Sequence, residues 1–169
     1  PLIIRYYAWI LVLGNDGVLV TLLSWVGVQS EGFLYTDLAV VTGLVQVLLP
    51  FMILPIYNSV DKIDGELVES AKTMGARPLR AFYEVTLPLS LPGVSAGSIL
   101  VFILAVGSFM APALLGGPEN MMVANLISRT FSQNFDWPAA SAMAMVYLVV
   151  LFGIITAFNR FVGLEEVFN

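Results

Sequence analysis

The 169-residue sequence contains neither cysteine nor histidine. Within this stretch, that excludes zinc sites built on those ligands and nucleophilic catalysis run by a Cys–His or Ser–His pair. Without cysteine the redox compartment stays undetermined. Charge is the second scarcity: Asp, Glu, Lys and Arg make up 11% of the residues, against about 25% in an ordinary soluble domain. The net charge is -5 and no dense basic cluster occurs, so nucleic acid is not an expected partner. No G-x4-G-K-[ST] phosphate cradle is present either, so this chain is not expected to hydrolyse nucleotide.

Apolar residues fill the space, at 59% of the chain. Three runs carry no charge: 38–60, 85–118 and 137–159. A spanning helix needs about 20 mostly apolar residues, so the pattern predicts an all-α, polytopic transmembrane helical bundle with spans near 38–60, 89–111 and 138–160. The middle run exceeds one crossing. Part of it must lie outside the hydrocarbon, with Pro88, Pro92, Pro112 and Pro118 as candidate ends. Pro50 and Pro55 predict kinks in the first span, and Pro138 reads as a first-turn proline of the last. Gly93-x3-Gly97, Gly107-x3-Ala111 and Ala140-x3-Ala144 are small-x3-small pairs that let helices approach closely.

The chain opens on Pro1, with Arg5, Tyr6, Tyr7 and Trp9 reading as headgroup-level residues of a span end or interfacial helix. It is expected to be a fragment of a longer membrane protein. Gly14-Asn15-Asp16-Gly17 is a turn signal, and the apolar stretch 18–26 after it is too short to span. Orientation follows from Lys and Arg. The segment 61–84 holds Lys62, Lys72, Arg77 and Arg80, and Arg160 follows the last span; the other side holds only Arg5 and Arg129. The positive-inside rule then places the 61–88 loop and the C-terminus in the cytoplasm, with 14–37 and 112–136 facing outward.

That loop carries the most informative text. Glu69-Ser70-Ala71 is followed after three residues by Gly75, and after nine more by Val85-Thr86-Leu87-Pro88. Leu67, Ala71 and Met74 recur at helical spacing. Gly75 then falls at the C′ position and Pro78 shortly after, predicting a helix over 66–74, a glycine turn, and a second short helix over 79–85 closed by Leu87-Pro88. Leu67, Val68, Met74, Leu79 and Phe82 place more apolar surface on this unit than a solvated connector carries.

The spacing resembles the E-A-A-x3-G-x9-I-x-L-P loop of permease subunits of bacterial ABC importers, with Ser70 for Ala and Val85 for Ile as the departures. Further blocks are similar to spermidine/putrescine-type permeases: Arg5-Tyr6-Tyr7-Ala8-Trp9, Leu49-Pro50-Phe51-Met52-Ile53-Leu54-Pro55, Pro112-Ala113-Leu114-Leu115-Gly116-Gly117-Pro118, Asn125-Leu126-Ile127 and Asp136-Trp137-Pro138. The resemblance covers nearly the whole chain. It implies that residues 1–169 are the C-terminal part of one type I ABC-importer permease domain in the bacterial inner membrane, lacking its first two spans and most of a third.

The resemblance also implies a division of labour. An extracytoplasmic binding protein delivers the solute, this chain and a second permease subunit form its path, and cytoplasmic ATPase subunits holding ATP and magnesium drive the cycle. The chain itself would carry no cofactor. Glu69, Ser70, Ala71, Gly75, Ala76, Leu87 and Pro88 would form the ATPase-coupling loop. Ser108, standing where some relatives have an acidic residue, and Glu119, Asp136 and Trp137 would lie on the solute path or its outer mouth. No metal site or catalytic residue is expected. The expected solute is a polyamine. The alternatives are another small solute on the same type of permease, or an ion-coupled secondary transporter, which would usually place ionisable groups near the midplane; the three spans have none.

Overall fold

The computed structural model describes residues 1–27 and 31–162. The expectation for the C-terminal tail beyond 162 lies outside the described residues. Every regular element among the described residues is helical: α1 (Leu2–Leu13), α2 (Val18–Trp25), α3 (Asp37–Asp61), α4 (Gly65–Thr73), α5 (Pro78–Ala81), a π-helical turn (Phe82–Thr86), α6 (Leu87–Val106), α7 (Met110–Leu115), α8 (Val123–Ser132) and α9 (Trp137–Val162). By length and composition, four stretches suit a bilayer crossing: Leu2–Trp25, Asp37–Asp61, Pro78–Val106 and Trp137–Phe158. The first is two helices rather than one. The predicted turn at Gly14–Gly17 interrupts it, and the 12 residues of α1 reach only about 18 Å at 1.5 Å per residue.

The structure divides into two compact units. The first comprises Pro1–Leu48 and Leu104–Val150. Its core is Tyr6 and Leu13 of α1, Ala39 and Val40 of α3, and Ala111 and Leu115 of α7. Gly43 is there because no side chain fits: a Cβ would collide with Leu115 Cδ1 and crowd the Tyr6 ring. The segment before α3 joins these helices through its backbone, with the Phe33 N–H donating to the Leu13 carbonyl (2.8 Å) and the Tyr35 N–H to the Leu115 carbonyl (2.9 Å). The Asn120 side-chain amide donates to the Asp37 carboxylate, holding the loop after α7 at the mouth of α3. Tyr147 on α9 donates its hydroxyl to the Val106 carbonyl at 2.7 Å, satisfying an acceptor at the end of α6.

The second unit comprises Leu49–Ile103 and the chain from Leu151 onward. Here the Gly93-x3-Gly97 pair does what its spacing predicts. A Cβ on Gly93 would lie 2.5 Å from the Pro55 carbonyl oxygen and from Ser59 Cβ, and one on Gly97 would lie 2.9 Å from Met52 Sδ. Bare glycine backbone thus brings α6 directly onto α3.

Two expectations require correction. Gly107 and Ala111 do not form a packing pair on one helix. The middle span, expected over 89–111, ends at Val106, and Gly107–Phe109 break it before α7 begins. Glycine is a poor helix former, and the Ser108 N–H turns back to the Ala105 carbonyl at 3.0 Å. Leu87-Pro88, in turn, does not close the second loop helix. Helix runs unbroken from Pro78 through the π-helical turn into α6. In an α-helical register Pro88 would have no N–H for the Glu84 carbonyl and its ring would clash there. The π turn inserts the extra residue, with the Leu87 N–H donating to the Phe82 carbonyl five residues back, and the proline is absorbed.

Candidate functional site

The loop between α3 and α6 is a built unit. The Asp64 carboxylate accepts from the Glu66 N–H at 3.0 Å and caps α4. At the other end Gly75 takes φ +91°, a region open to glycine and strained for most residues. The Gly75 N–H donates to the Lys72 carbonyl (2.9 Å) and the Ala76 N–H to the Ala71 carbonyl (3.0 Å). Paired bonds of this kind, with a left-handed residue between, satisfy the orphan carbonyls of a helix end. Pro78 then starts α5 at its first turn, where a missing N–H costs nothing.

This accounts for several of the loop residues. Ala71 and Ala76 are the half-buried ends of the cap. Ser70 and Glu69 are exposed; their carbonyls receive the Thr73 hydroxyl at 3.0 and 2.8 Å. The Glu69 carboxylate has no partner among the described residues. Leu87 and Pro88 open α6 and are exposed. Ala81 is buried, whereas Met74 is 84% exposed and Leu79 74%. Two large apolar side chains therefore stand in the open on either side of the glycine. The Arg80–Glu84 ion pair (2.8 Å) on the same segment is exposed and contributes little to stability.

The other candidate residues do not gather into one site. Ser108 sits at the break between α6 and α7, half-buried. Glu119 is exposed in the loop after α7. Asp136 serves the fold: its carboxylate accepts from the Ala139 N–H at 3.0 Å, capping α9. Trp137 stacks on Phe131 with ring centroids 5.3 Å apart.

Sequence reasoning passed over two amides. Gln46, on α3, and Asn125, on α8, each have a buried side-chain oxygen with no hydrogen-bond partner among the described residues. An amide in otherwise apolar text was the available signal for Gln46. For Asn125 the signal was its place in the Asn125-Leu126-Ile127 block, which says nothing of its burial, because that depends on where α8 packs. Asn125 lines a pocket of about 430 Å³ between α8, the end of α7 and Tyr35.

Long apolar helices, bare-glycine helix contacts and a capped helix–glycine–helix loop are the features of a polytopic helical membrane protein. Residues 3–164 match the family of binding-protein-dependent transport system inner membrane components, and the chain belongs to that family. It is 39% identical over 160 residues to the spermidine/putrescine transport system permease protein PotB of Haemophilus influenzae, covering 94% of this chain and 56% of that protein. It is 37% identical over 151 residues to PotB of Escherichia coli K12, covering 88% and 55%. The chain thus spans just over half the length of these relatives. Its fold is that of a bacterial alginate ABC transporter solved in complex with an alginate pentasaccharide-bound periplasmic protein, with a TM-score of 0.83 at 20% identity over 95% of this chain and 59% of that one.

Proposed function

We propose that this chain is part of the permease subunit of an ABC importer. It lines the solute path and receives motion from a cytoplasmic ATPase through the 61–88 loop. The observation that carries this reading is the pair of open apolar side chains, Met74 and Leu79, flanking the hydrogen-bonded Gly75 cap. Apolar groups held in the open by a capped turn fit a groove on a soluble partner. The Glu69 carboxylate, on the same unit, is available for charge-assisted hydrogen bonds to that partner. ATP and magnesium belong on the ATPase. The π-helical turn makes the loop continuous with α6, so a push on α5 reaches the span without crossing a flexible joint.

The remaining assignments follow from the same reading. The loop and C-terminus are cytoplasmic, a second permease subunit completes the path, and an extracytoplasmic binding protein delivers the solute. The alginate transporter, crystallised with its periplasmic protein, supports that last partner. The PotB relatives favour spermidine or putrescine as solute. A second reading, the same type of permease for another small solute, is favoured by the absence of any Asp or Glu from 38–60, 87–106 and 138–159, since a polycation is best held by carboxylates or aromatic faces.

The test is uptake of labelled spermidine by the full-length subunit with its partners, challenged with a panel of unlabelled solutes and repeated with Glu69→Ala. Glu69 is exposed, so its loss should cost the fold little, while transport and ATPase co-purification should fall together. Normal uptake and co-purification by Glu69→Ala would refute the coupling role. Uptake of a non-polyamine alone would refute only the solute.

A further inference from the structure

The Asn125 pocket lies in the first unit and has a one-sided chemistry. Helix α8 and the residue after it present Asn125, Ser128, Arg129, Ser132 and Gln133 to it, at the i, i+3, i+4, i+7, i+8 spacing of one helical stripe. The opposite side of α8, through Ile127 and Phe131, faces Ala140 and Ala144 of α9 across a second, apolar cleft. The polar stripe is therefore turned into a concavity rather than simply into water. Among the described residues that line it, Arg129 is the only charged one, and none is Asp or Glu. The contact found for the Arg129 guanidinium among the described residues is with Met121 Sδ, at 3.9 Å.

Asn125 adds a second requirement. It is 8% exposed, and its Nδ2 donates to the Phe109 carbonyl at 3.0 Å. That bond fixes the amide, because a flip would set oxygen against oxygen. Oδ1 is then a buried acceptor with no donor among the described residues, a condition that natural structures rarely leave unexplained. The pocket thus asks for a group that is anionic toward Arg129 and carries an O–H or N–H for Asn125.

Its position indicates where such a group comes from. Tyr35 lies two residues before the start of α3 and Trp137 is the first residue of α9. Both helices are long and apolar enough to cross a bilayer. Aromatic residues at span ends mark headgroup depth, and Phe135, just outside α9, is 77% exposed at φ +55°. Of these aromatics Tyr35 lines the pocket, so if α3 crosses a bilayer this rim falls at headgroup depth.

We propose that this pocket binds the headgroup of an anionic phosphoglycerol lipid. The phosphodiester pairs with Arg129 and accepts from the Ser128 hydroxyl and the Gln133 amide; a glycerol hydroxyl donates to Asn125 Oδ1. A cluster of neutral donors around one arginine holds a phosphodiester without requiring a polybasic patch, and the acceptor at Asn125 separates glycerol from choline, which has no hydroxyl or N–H to give.

The experiment uses the full-length permease in its complete complex, delipidated in detergent. Retention of phosphatidylglycerol against phosphatidylcholine is read by native mass spectrometry. The expected result is at least a roughly tenfold preference for phosphatidylglycerol, lost in Arg129→Ala and largely kept in Arg129→Lys, which preserves the charge. Equal retention of the two lipids, or an unchanged preference in Arg129→Ala, overturns the proposal. Free glycerol 1-phosphate is the second arm: if it displaces phosphatidylglycerol at comparable concentration, the site is for a soluble phosphate and the lipid assignment is wrong. Arg129 is exposed, so its variants should fold, with thermal stability as the control. The outcome does not depend on which solute is transported.

Discussion

The backbone N–H of Ala76 donates to the carbonyl of Ala71 at 3.0 Å, so the third residue of the Glu69-Ser70-Ala71 triplet and the residue after Gly75 belong to one hydrogen-bonded cap. The triplet and Gly75 are therefore parts of a single mechanical object. The three residues between them are the last turn of α4 and its cap residue, Met74.

Gly75→Val is expected to disable coupling. No atom lies within 4 Å of an added Cβ, so the penalty is the left-handed backbone alone, about 1–3 kcal/mol for a residue poorly suited to it. Gly75→Asn should retain most function, since Asn tolerates this conformation. Uptake and ATPase co-purification in the full-length subunit check both. Equal behaviour of Val and Asn would show that the φ at this position does not matter.

Gly93→Ala should destabilise the subunit while Gly153→Ala should not. The first places a methyl 2.5 Å from the Pro55 carbonyl oxygen, whereas the second meets nothing within 4 Å. Overpacking costs typically about 1–3 kcal/mol; in an open helix position Ala is favoured over Gly by about 1 kcal/mol. Thermal melting of the detergent-solubilised full-length protein should separate the two variants in opposite directions.

Asp136→Ala should lower stability by about 0.5–2 kcal/mol, the usual cost of an N-cap, and Asp136→Asn should largely preserve it. Neither should alter the solute KM if the carboxylate is only the cap of α9. A raised KM in Asp136→Asn at unchanged stability would assign the residue to the solute mouth instead.

Cysteine labelling checks the topology. Lys72→Cys and Glu119→Cys are suited to it because both side chains are exposed, whereas Asn120 is engaged with Asp37. An impermeant reagent added outside should label position 119 and not position 72. Labelling at position 72 and not at 119 would reverse the orientation drawn from Lys and Arg, and labelling at both would overturn the topology.

The broad class was legible from residues alone because it rests on local quantities. Run length and missing charge define the three long spans, Gly14–Gly17 defines the first turn, and Gly75 with Pro78 defines the loop cap. Each depends on a few neighbours in the chain and on the lack of water in a bilayer. What failed depended on register. Proline reads as a helix end, but at Pro88 one extra residue in a π turn converted an end into a continuation.

Tertiary structure alone decided the rest. Asp136 is a cap because of where α9 begins, and Gly93 has no room for a side chain because of what α3 places beside it. Asn125 has an orphaned oxygen because α8 turns its polar stripe toward Tyr35 and the end of α7. Burial and hydrogen-bond partnership are properties of pairs of segments far apart in sequence. Composition and spacing determine that helices form and cross a bilayer; only packing determines which polar atoms are left waiting for a partner.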